Sequence, residues 1–215
     1  MDLSWQPSLL DEGAEEPGPA RDFDGLCRHE LAHGAWVDVV PGWVRGPGAL
    51  FDRVHARTPW AAHELRMYDK VVPEPRLTHR WRIGSDEPPD ELRAMADALG
   101  ARYGVRFSQV GANLYRDGAD SVAWHGDRVA RELPSAVVAL VALGAARPLR
   151  LRPTGGGASV SFPLASGDLL VMGGSCQRTW QHSVPKVSGP CGPRISVQFR
   201  HAYPDGDSGR RRAVA

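Results

Sequence analysis

Apolar residues change their spacing near residue 105 of this chain. Ahead of that point the rhythm is helical. In residues 88–100, "PPDELRAMADALG", Leu92, Met95 and Leu99 recur at intervals of three and four. Pro88, Pro89 and Asp90 mark a start, and Gly100 stands where a C-cap belongs. Residues 46–58, "GPGALFDRVHART", predict a shorter helix. Beyond residue 105 the texture becomes strand and turn. "RFSQVGANLYR", "SVAWHGD", "AVVALVALG", "PLRLRP", "ASVSFPL", "GDLLVMGG", "TWQHSVP" and "RISVQFR" follow one another, with turns such as Asp117-Gly118 and Gly155-Gly156-Gly157 between them. Eight or so short strands predict a sandwich or barrel, and helices ahead of them pack on its outside. The expected fold is mainly β, with a double-stranded β-helix (jelly-roll) core and N-terminal helices packed outside.

Length and composition fit that picture. The chain has 215 residues, 42% of them apolar and 24% charged, enough for one core. Residues 1–22 are acidic and rich in Gly and Pro, and read as a disordered leader; 204–215 read as a flexible tail. The domain is expected over 23–203. A net charge of +1 announces no general polyanion binder, so any basic surface is local. Cys27, Cys176 and Cys191 include no C-x-x-C pair, which suits a reducing cytoplasm and argues against a disulfide framework. No signal-like or membrane-spanning run is visible, so no membrane association is expected, and no protein partner is evident.

Two stretches hint at a metal. Residues 29–33, "HELAH", spell H-E-x-x-H, the zinc-protease signature. That motif needs a helix to bring both histidines to one face, and a third ligand. Gly25 and Gly34 leave at most eight residues between them, and β-like "AWVDVV" follows. A strand or irregular segment with two surface histidines is the better reading of His29 and His33. "WHGD" offers His125 and Asp127, which share one face of a strand. An imidazole and a carboxylate are two parts of the 2-His-1-carboxylate triad of ferrous oxygenases. His182, 55 residues after Asp127 in strand-like sequence, would complete it. The pair alone is a weak signal. In "RISVQFR" Arg194 and Arg200 also share a face, roughly 20 Å apart along an extended strand. Buried, they demand anionic partners. Alternation alone favours a solvated face of Arg194, Ser196, Gln198 and Arg200.

As a set, Asn113-x-Tyr115, His125-x-Asp127, His182 and Arg194…Arg200 resemble the AlkB family of Fe(II)- and 2-oxoglutarate-dependent dioxygenases. The resemblance covers roughly residues 35–200 and is densest beyond 110, in "NLYRDGADSVAWHGD", "ALVALGAARPLRLR", "LASGDLLVMGG", "TWQHSVPK" and "PRISVQFR". Residues 55–100 resemble the substrate-lid region and its helix, 105–200 the jelly-roll core, and HELAH a variable N-terminal extension. The resemblance implies that His125, Asp127 and His182 bind Fe(II). It implies that Asn113 and Tyr115 hydrogen-bond 2-oxoglutarate, that Arg194 pairs with its distal carboxylate, and that Arg200 lies near the metal as part of the catalytic and co-substrate machinery. Ser196 stands where relatives often carry Asn; its shorter hydroxyl can still donate to a carboxylate. The implied reaction uses O2, converts 2-oxoglutarate to succinate and carbon dioxide, and hydroxylates an N-alkyl carbon so that an aldehyde leaves.

The implied substrate is an alkylated nucleobase in DNA or RNA. A stacked base is inaccessible, so the enzyme must flip it or use single strands. Residues 60–82 carry aromatic and cationic side chains suited to this. Trp81, Tyr68, Arg76 and Arg80 are the candidate substrate contacts, with Trp81 stacking on the base opposite His125 or, equally, packing as an edge-strand tryptophan. No apolar wedge is evident, which favours single-stranded substrates. Cys176 has no neighbouring base in sequence, which argues against a nucleophilic role. The alternatives are the same oxygenase acting on a methylated protein, lipid or small molecule, a non-catalytic nucleic-acid binder and, more remotely, a zinc protease.

Overall fold

A computed structural model describes residues 16–67, 70–127, 129 and 133–201. Its strands are β1 (Gly18–Pro19), β2 (Cys27–Glu30), β3 (Ala35–Val40), β4 (Val44–Arg45), β5 (Ala61–Met67), β6 (Lys70–Arg82), β7 (Phe107–Tyr115), β8 (Val122–His125), β9 (Val138–Gly144), β10 (Arg147–Pro153), β11 (Val160–Leu164), β12 (Leu169–Gly174), β13 (Trp180–Val184) and β14 (Arg194–His201). Helices α1 (Pro47–Arg57), α2 (Asp90–Tyr103) and the single turn α3 (Cys176–Thr179) complete it. One sheet has eight strands in the order β2-β3-β12-β9-β14-β7-β6-β5 and another has four, β11-β10-β13-β8. All pairings are antiparallel, as a jelly roll requires. No helix of the described residues is long and apolar enough to cross a membrane.

The central strands of the large sheet are buried on both faces, which explains why β9 reads as an unbroken apolar run. Ala139, Val141 and Leu143 point one way, with α1 (Leu50, Phe51, Val54) and α2 (Leu92, Met95, Leu99). Val138, Leu140 and Ala142 point the other way, toward Leu149, Leu151, Phe162 and Leu164 of the small sheet. On β14, Ile195, Val197 and Phe199 join the helix-side core. Arg194, Ser196 and Gln198 are buried on the opposite face, and Arg200 is half-buried there. The solvated face that alternation favours is therefore an interior one. Polar residues survive inside because that face borders a cavity.

Several boundaries differ from expectation. Residues 16–22 are described and fixed by β1, which pairs with β4, so the expected leader is too long; residues 1–15 and the whole of the expected tail, including Arg210, Arg211 and Arg212, lie outside the described residues. The sheet also recruits β2, β3, β5 and β6 from ahead of residue 105. The first two residues of HELAH, His29 and Glu30, lie in β2, which pairs with β3 as the edge strand of the large sheet. His33 then has φ 66, which breaks any helical register. His29 and His33 are both exposed. Bidentate donation from Arg28 to the buried Asp38 (2.7 and 2.8 Å) and a bond from the Tyr103 hydroxyl to the same carboxylate (3.0 Å) tie this edge to α2. Helix α2 runs one turn past Gly100 and ends at Gly104, whose φ of 66 makes the left-handed cap. Gly100 is needed for another reason: a Cβ there would lie 2.9 Å from the Val105 carbonyl oxygen.

Candidate metal and co-substrate site

β8 and β13 are antiparallel neighbours, and their register sets His125 opposite His182. Asp127 follows two residues after His125, just beyond the strand end. The potential ligand atoms of His125, Asp127 and His182 lie within 4.8 Å of one another. His125 Nδ1 donates to the Ala123 carbonyl at 2.9 Å, since a carbonyl can only accept. That fixes the ring and leaves Nε2 as the ligating atom. Burial and the neighbouring His125 push His182 down to about 3, with Asp127 opposing them. His182 is thus the neutral imidazole that a metal needs. Burial alone would raise the Asp127 pKa. Arg200, His182 and His125 override it and hold the carboxyl well below the usual range. Arg200 donates to both oxygens, from Nε to Oδ2 at 3.0 Å and from Nη2 to Oδ1 at 3.2 Å. The Asp127 backbone N–H donates to Gln177 Oε1 at 2.9 Å. Two imidazoles and an ionised carboxylate at this spacing suit ferrous iron and leave coordination positions open.

Across the cavity, strands β6, β7 and β14 present a ladder of polar residues. Their registers align Thr78, Asn113 and Ser196 in one row, Arg80, Gly111 and Gln198 in the next, and Arg82, Gln109 and Arg200 beyond. Tyr115 opposes Arg194 at the deep end. A cavity of about 640 Å³ opens onto this ladder and the metal-ligand cluster together, lined by Glu74, Arg76, Arg80, Asn113, Gln198 and Arg200 besides His125 and Asp127.

Arg194 is the least expected group. It is completely buried, and none of its three guanidinium nitrogens has a hydrogen-bond partner. Burial lowers its pKa. Its guanidinium lies 5.4 Å from the centre of the Tyr115 ring, whose pKa burial raises while Arg194 opposes it. A buried, unpaired guanidinium costs several kcal/mol. A carboxylate is the group whose geometry satisfies it. Arg147, also buried, lies 5.6 Å from the same ring, but donates to the carbonyls of Asp117 (3.0 Å), Asp120 (2.9 Å) and Pro185 (2.5 Å). It ties the turn before β8 to the segment after β13.

The substrate-side expectations divide. Arg76 and Arg80 line the cavity. Arg76 bonds Glu74 at 3.2 Å and leaves its buried Nε unpartnered. Burial, Arg200 and Arg82 lower the Arg80 pKa. Trp81 is a correction: it belongs to the helix-side core, 6% exposed, its ring edge-on to His79 at 4.6 Å. Alternation along β6 sends Trp81 away from Arg80 and the cavity. Tyr68 lies outside the described residues. Sequence reasoning passed over Glu74, Gln177, Arg147 and Gln198. For Gln198 a signal existed, because it shares a strand face with Arg194 and Arg200.

Fold and site together define an iron- and 2-oxoglutarate-dependent dioxygenase, and residues 75–200 match the family model of the 2OG-Fe(II) oxygenase superfamily. The chain belongs to the AlkB family within it. It is 30% identical to the alpha-ketoglutarate-dependent dioxygenase alkB homolog 3 of Mus musculus, over 93% of this chain and 78% of that one. It is 27% identical to the DNA oxidative demethylase ALKBH2 of Arabidopsis thaliana, over 80% and 68%. The solved structure of OsALKBH1 shares the fold, with a TM-score of 0.58 at 13% identity, covering 80% of this chain and all of that one.

Proposed function

We propose that this dioxygenase oxidatively removes alkyl groups from nucleobases in DNA or RNA, with single-stranded nucleic acid as its preferred form. One observation carries the reading: β6 sets Arg76 and Arg80 on the wall of the same cavity that holds His125 and Asp127. Cations on the wall of an oxidising site suit a phosphate-bearing substrate whose base enters the cavity. The relative named a DNA oxidative demethylase agrees. Among the residues whose side chains are described, Val160 is the only exposed large apolar one, and it does not line the cavity.

His125, Asp127 and His182 would hold iron, which with 2-oxoglutarate and O2 supplies the oxidation of an N-alkyl carbon. Arg194 would take the distal carboxylate of the co-substrate, with Tyr115 and Asn113 beside it. Arg200 fixes the Asp127 carboxylate in one orientation. The chain supplies orientation and exclusion of water, and no acid–base dyad is required.

The test is formaldehyde release from a methylated single-stranded oligonucleotide with Fe(II) and 2-oxoglutarate. Release that exceeds that from the matching duplex supports the full reading. Succinate formation from 2-oxoglutarate with no turnover of any oligonucleotide would redirect the search to methylated proteins, lipids or small molecules.

A further inference from the structure

The outer face of the small sheet carries side chains that the cavity does not use. A bulge in β8 sets it up. His125 pairs with His182 and Val122 with Val184, so Ala123 and Trp124 together oppose Ser183 alone. The extra residue keeps Val122 and His125 on the inner side and sends Trp124 outward. Arg152 of β10 meets it there. Its guanidinium lies 4.4 Å from the centre of the Trp124 ring and donates to Gln181 Oε1 from Nε at 3.3 Å and from Nη2 at 3.2 Å. Arg150, two residues earlier on β10, shares that face and is exposed. Strands β8, β10, β11 and β13 contain no Asp or Glu. No ion pair among the described residues involves Arg150 or Arg152. A merely solvated face mixes both signs of charge, whereas this one sets cations around an aromatic ring.

β8 is also the end strand of the small sheet, and Val122, His125 and Asp127 line the cavity. The cavity and the outer face are thus two sides of one edge strand. A chain that leaves the cavity past β8 meets Trp124 first. Two strand spacings on, roughly 10 Å, it meets Arg152 and Arg150.

We propose that this outer face is a second nucleic-acid contact, which holds the single-stranded segment flanking the target base, with a neighbouring base on Trp124 and phosphates on Arg150 and Arg152. This rests on the nucleobase reading of the cavity. Every base offers a π-face and every nucleotide a phosphate, so a ring among cations suits a single strand of any sequence. An acidic peptide would use the cations and leave the ring without a role. In the free protein the Arg152 guanidinium shields the indole. When a base takes that place, the guanidinium turns to the adjacent phosphate.

The experiment compares methylated single-stranded oligonucleotides of about five and about fifteen nucleotides, each with a central lesion. Binding is read by fluorescence anisotropy on the Mn(II)-loaded protein with 2-oxoglutarate, and turnover by formaldehyde release with Fe(II). Arg150→Gln/Arg152→Gln is expected to raise the Kd of the long oligonucleotide about tenfold and to reduce the slope of log Kd against log salt by about 1.4, for two phosphate contacts on a single strand. Trp124→Leu keeps the charge, and raises the same Kd about fivefold or more with the slope unchanged. The short oligonucleotide ends before the outer face, so its Kd and its turnover at saturation stay within about twofold in both variants. Equal losses at both lengths, or none at the longer one, overturn the proposal. If Trp124→Leu does not fold, the salt slope of the arginine variant decides. Competition by polyglutamate as strong as by oligo(dT) overturns it too, and assigns the face to an acidic protein segment. If neither oligonucleotide is turned over, the nucleobase reading falls and this proposal with it. If both are turned over and the outer-face variants are silent, only the outer face falls.

Discussion

Arg200 and Asp127 form a two-pronged ion pair, Nε to Oδ2 at 3.0 Å and Nη2 to Oδ1 at 3.2 Å, with both side chains largely buried. Asp127 is the candidate carboxylate ligand, so its orientation depends on a strand of the opposite sheet. Removing the guanidinium leaves a buried carboxylate beside two imidazoles. Arg200→Met should destabilise the metal-free protein by about 3 kcal/mol, the cost of breaking a buried pair from one side. A divalent metal then replaces the missing cation. Mn(II) should therefore raise the melting temperature of Arg200→Met more than that of the native protein. An equal rise in both would show that Arg200 is not coupled to the metal-ligand cluster.

Arg194 predicts the opposite trend. Its three nitrogens are unpartnered in a fully buried setting, so the native protein holds a desolvated charge with no hydrogen-bonded or anionic partner, only the Tyr115 ring beside it. Replacing an unpaired buried charge with an apolar side chain of similar length is neutral or stabilising. Arg194→Met should melt at or above the native temperature. Its 2-oxoglutarate Kd should nonetheless rise at least about a hundredfold, since charge-assisted bidentate pairing is lost. Thermal melts and calorimetry on the same preparation test both halves.

The contrast between these arginines shows what could be read from the chain. Spacing placed Arg194 and Arg200 on one face of β14, and the resemblance supplied their roles. Spacing could not tell a solvated face from an internal polar one, because both alternate with period two. That depends on β7 lying beside β14 and β6 beside β7, which are long-range pairings. Trp81 failed for a related reason. It sits among cations in sequence, but strand alternation assigns neighbours to opposite faces, and its parity matches Leu77 and not Arg80. HELAH was rejected correctly from its glycine boundaries, while the place of its first two residues on an edge strand needed β3 to be known.

Trp81→Phe is accordingly expected to retain oligonucleotide turnover to within about twofold, because a smaller aromatic fills most of the same core site. Trp81→Ala should cost about 3–5 kcal/mol of stability, as for other large aromatic truncations. Urea melts and formaldehyde assays separate the two effects. A large loss of turnover in Trp81→Phe, with stability preserved, would restore a substrate-stacking role.

Gly173 tests the packing of the large sheet. The Trp36 indole lies against it, and a Cβ there would clash with Trp36 Cζ2. Trp36 also stacks on Tyr103 at 5.9 Å and carries Arg28 over its face at 4.0 Å. Gly173→Ala must displace the indole, which loosens β2 and α2 together. A loss of about 1–3 kcal/mol is expected, typical of overpacking. A double variant with Trp36→Leu should recover most of it, because the clash is with that ring.

The cysteines give a prediction in pH. Burial pushes the Cys176 thiol up to about 12, whereas Cys27 is exposed. At pH 8 Cys176 is a neutral, inaccessible thiol. Iodoacetamide should label Cys27 rapidly and spare Cys176 until the protein unfolds, which mass spectrometry of the peptides resolves. The same shift has a thermodynamic sign. The unfolded thiol ionises near pH 8.5, so the folded state binds the proton more tightly. The stability associated with this group is fully present below about pH 8.5 and is lost as the pH rises toward the folded pKa, at up to about 1.4 kcal/mol per pH unit. Other groups titrate in this range, so the measurement is a difference. Between pH 8 and 10 the native protein should lose stability faster than Cys176→Ala. Parallel slopes would place the Cys176 thiol in a far more solvated environment than the interior beneath β12.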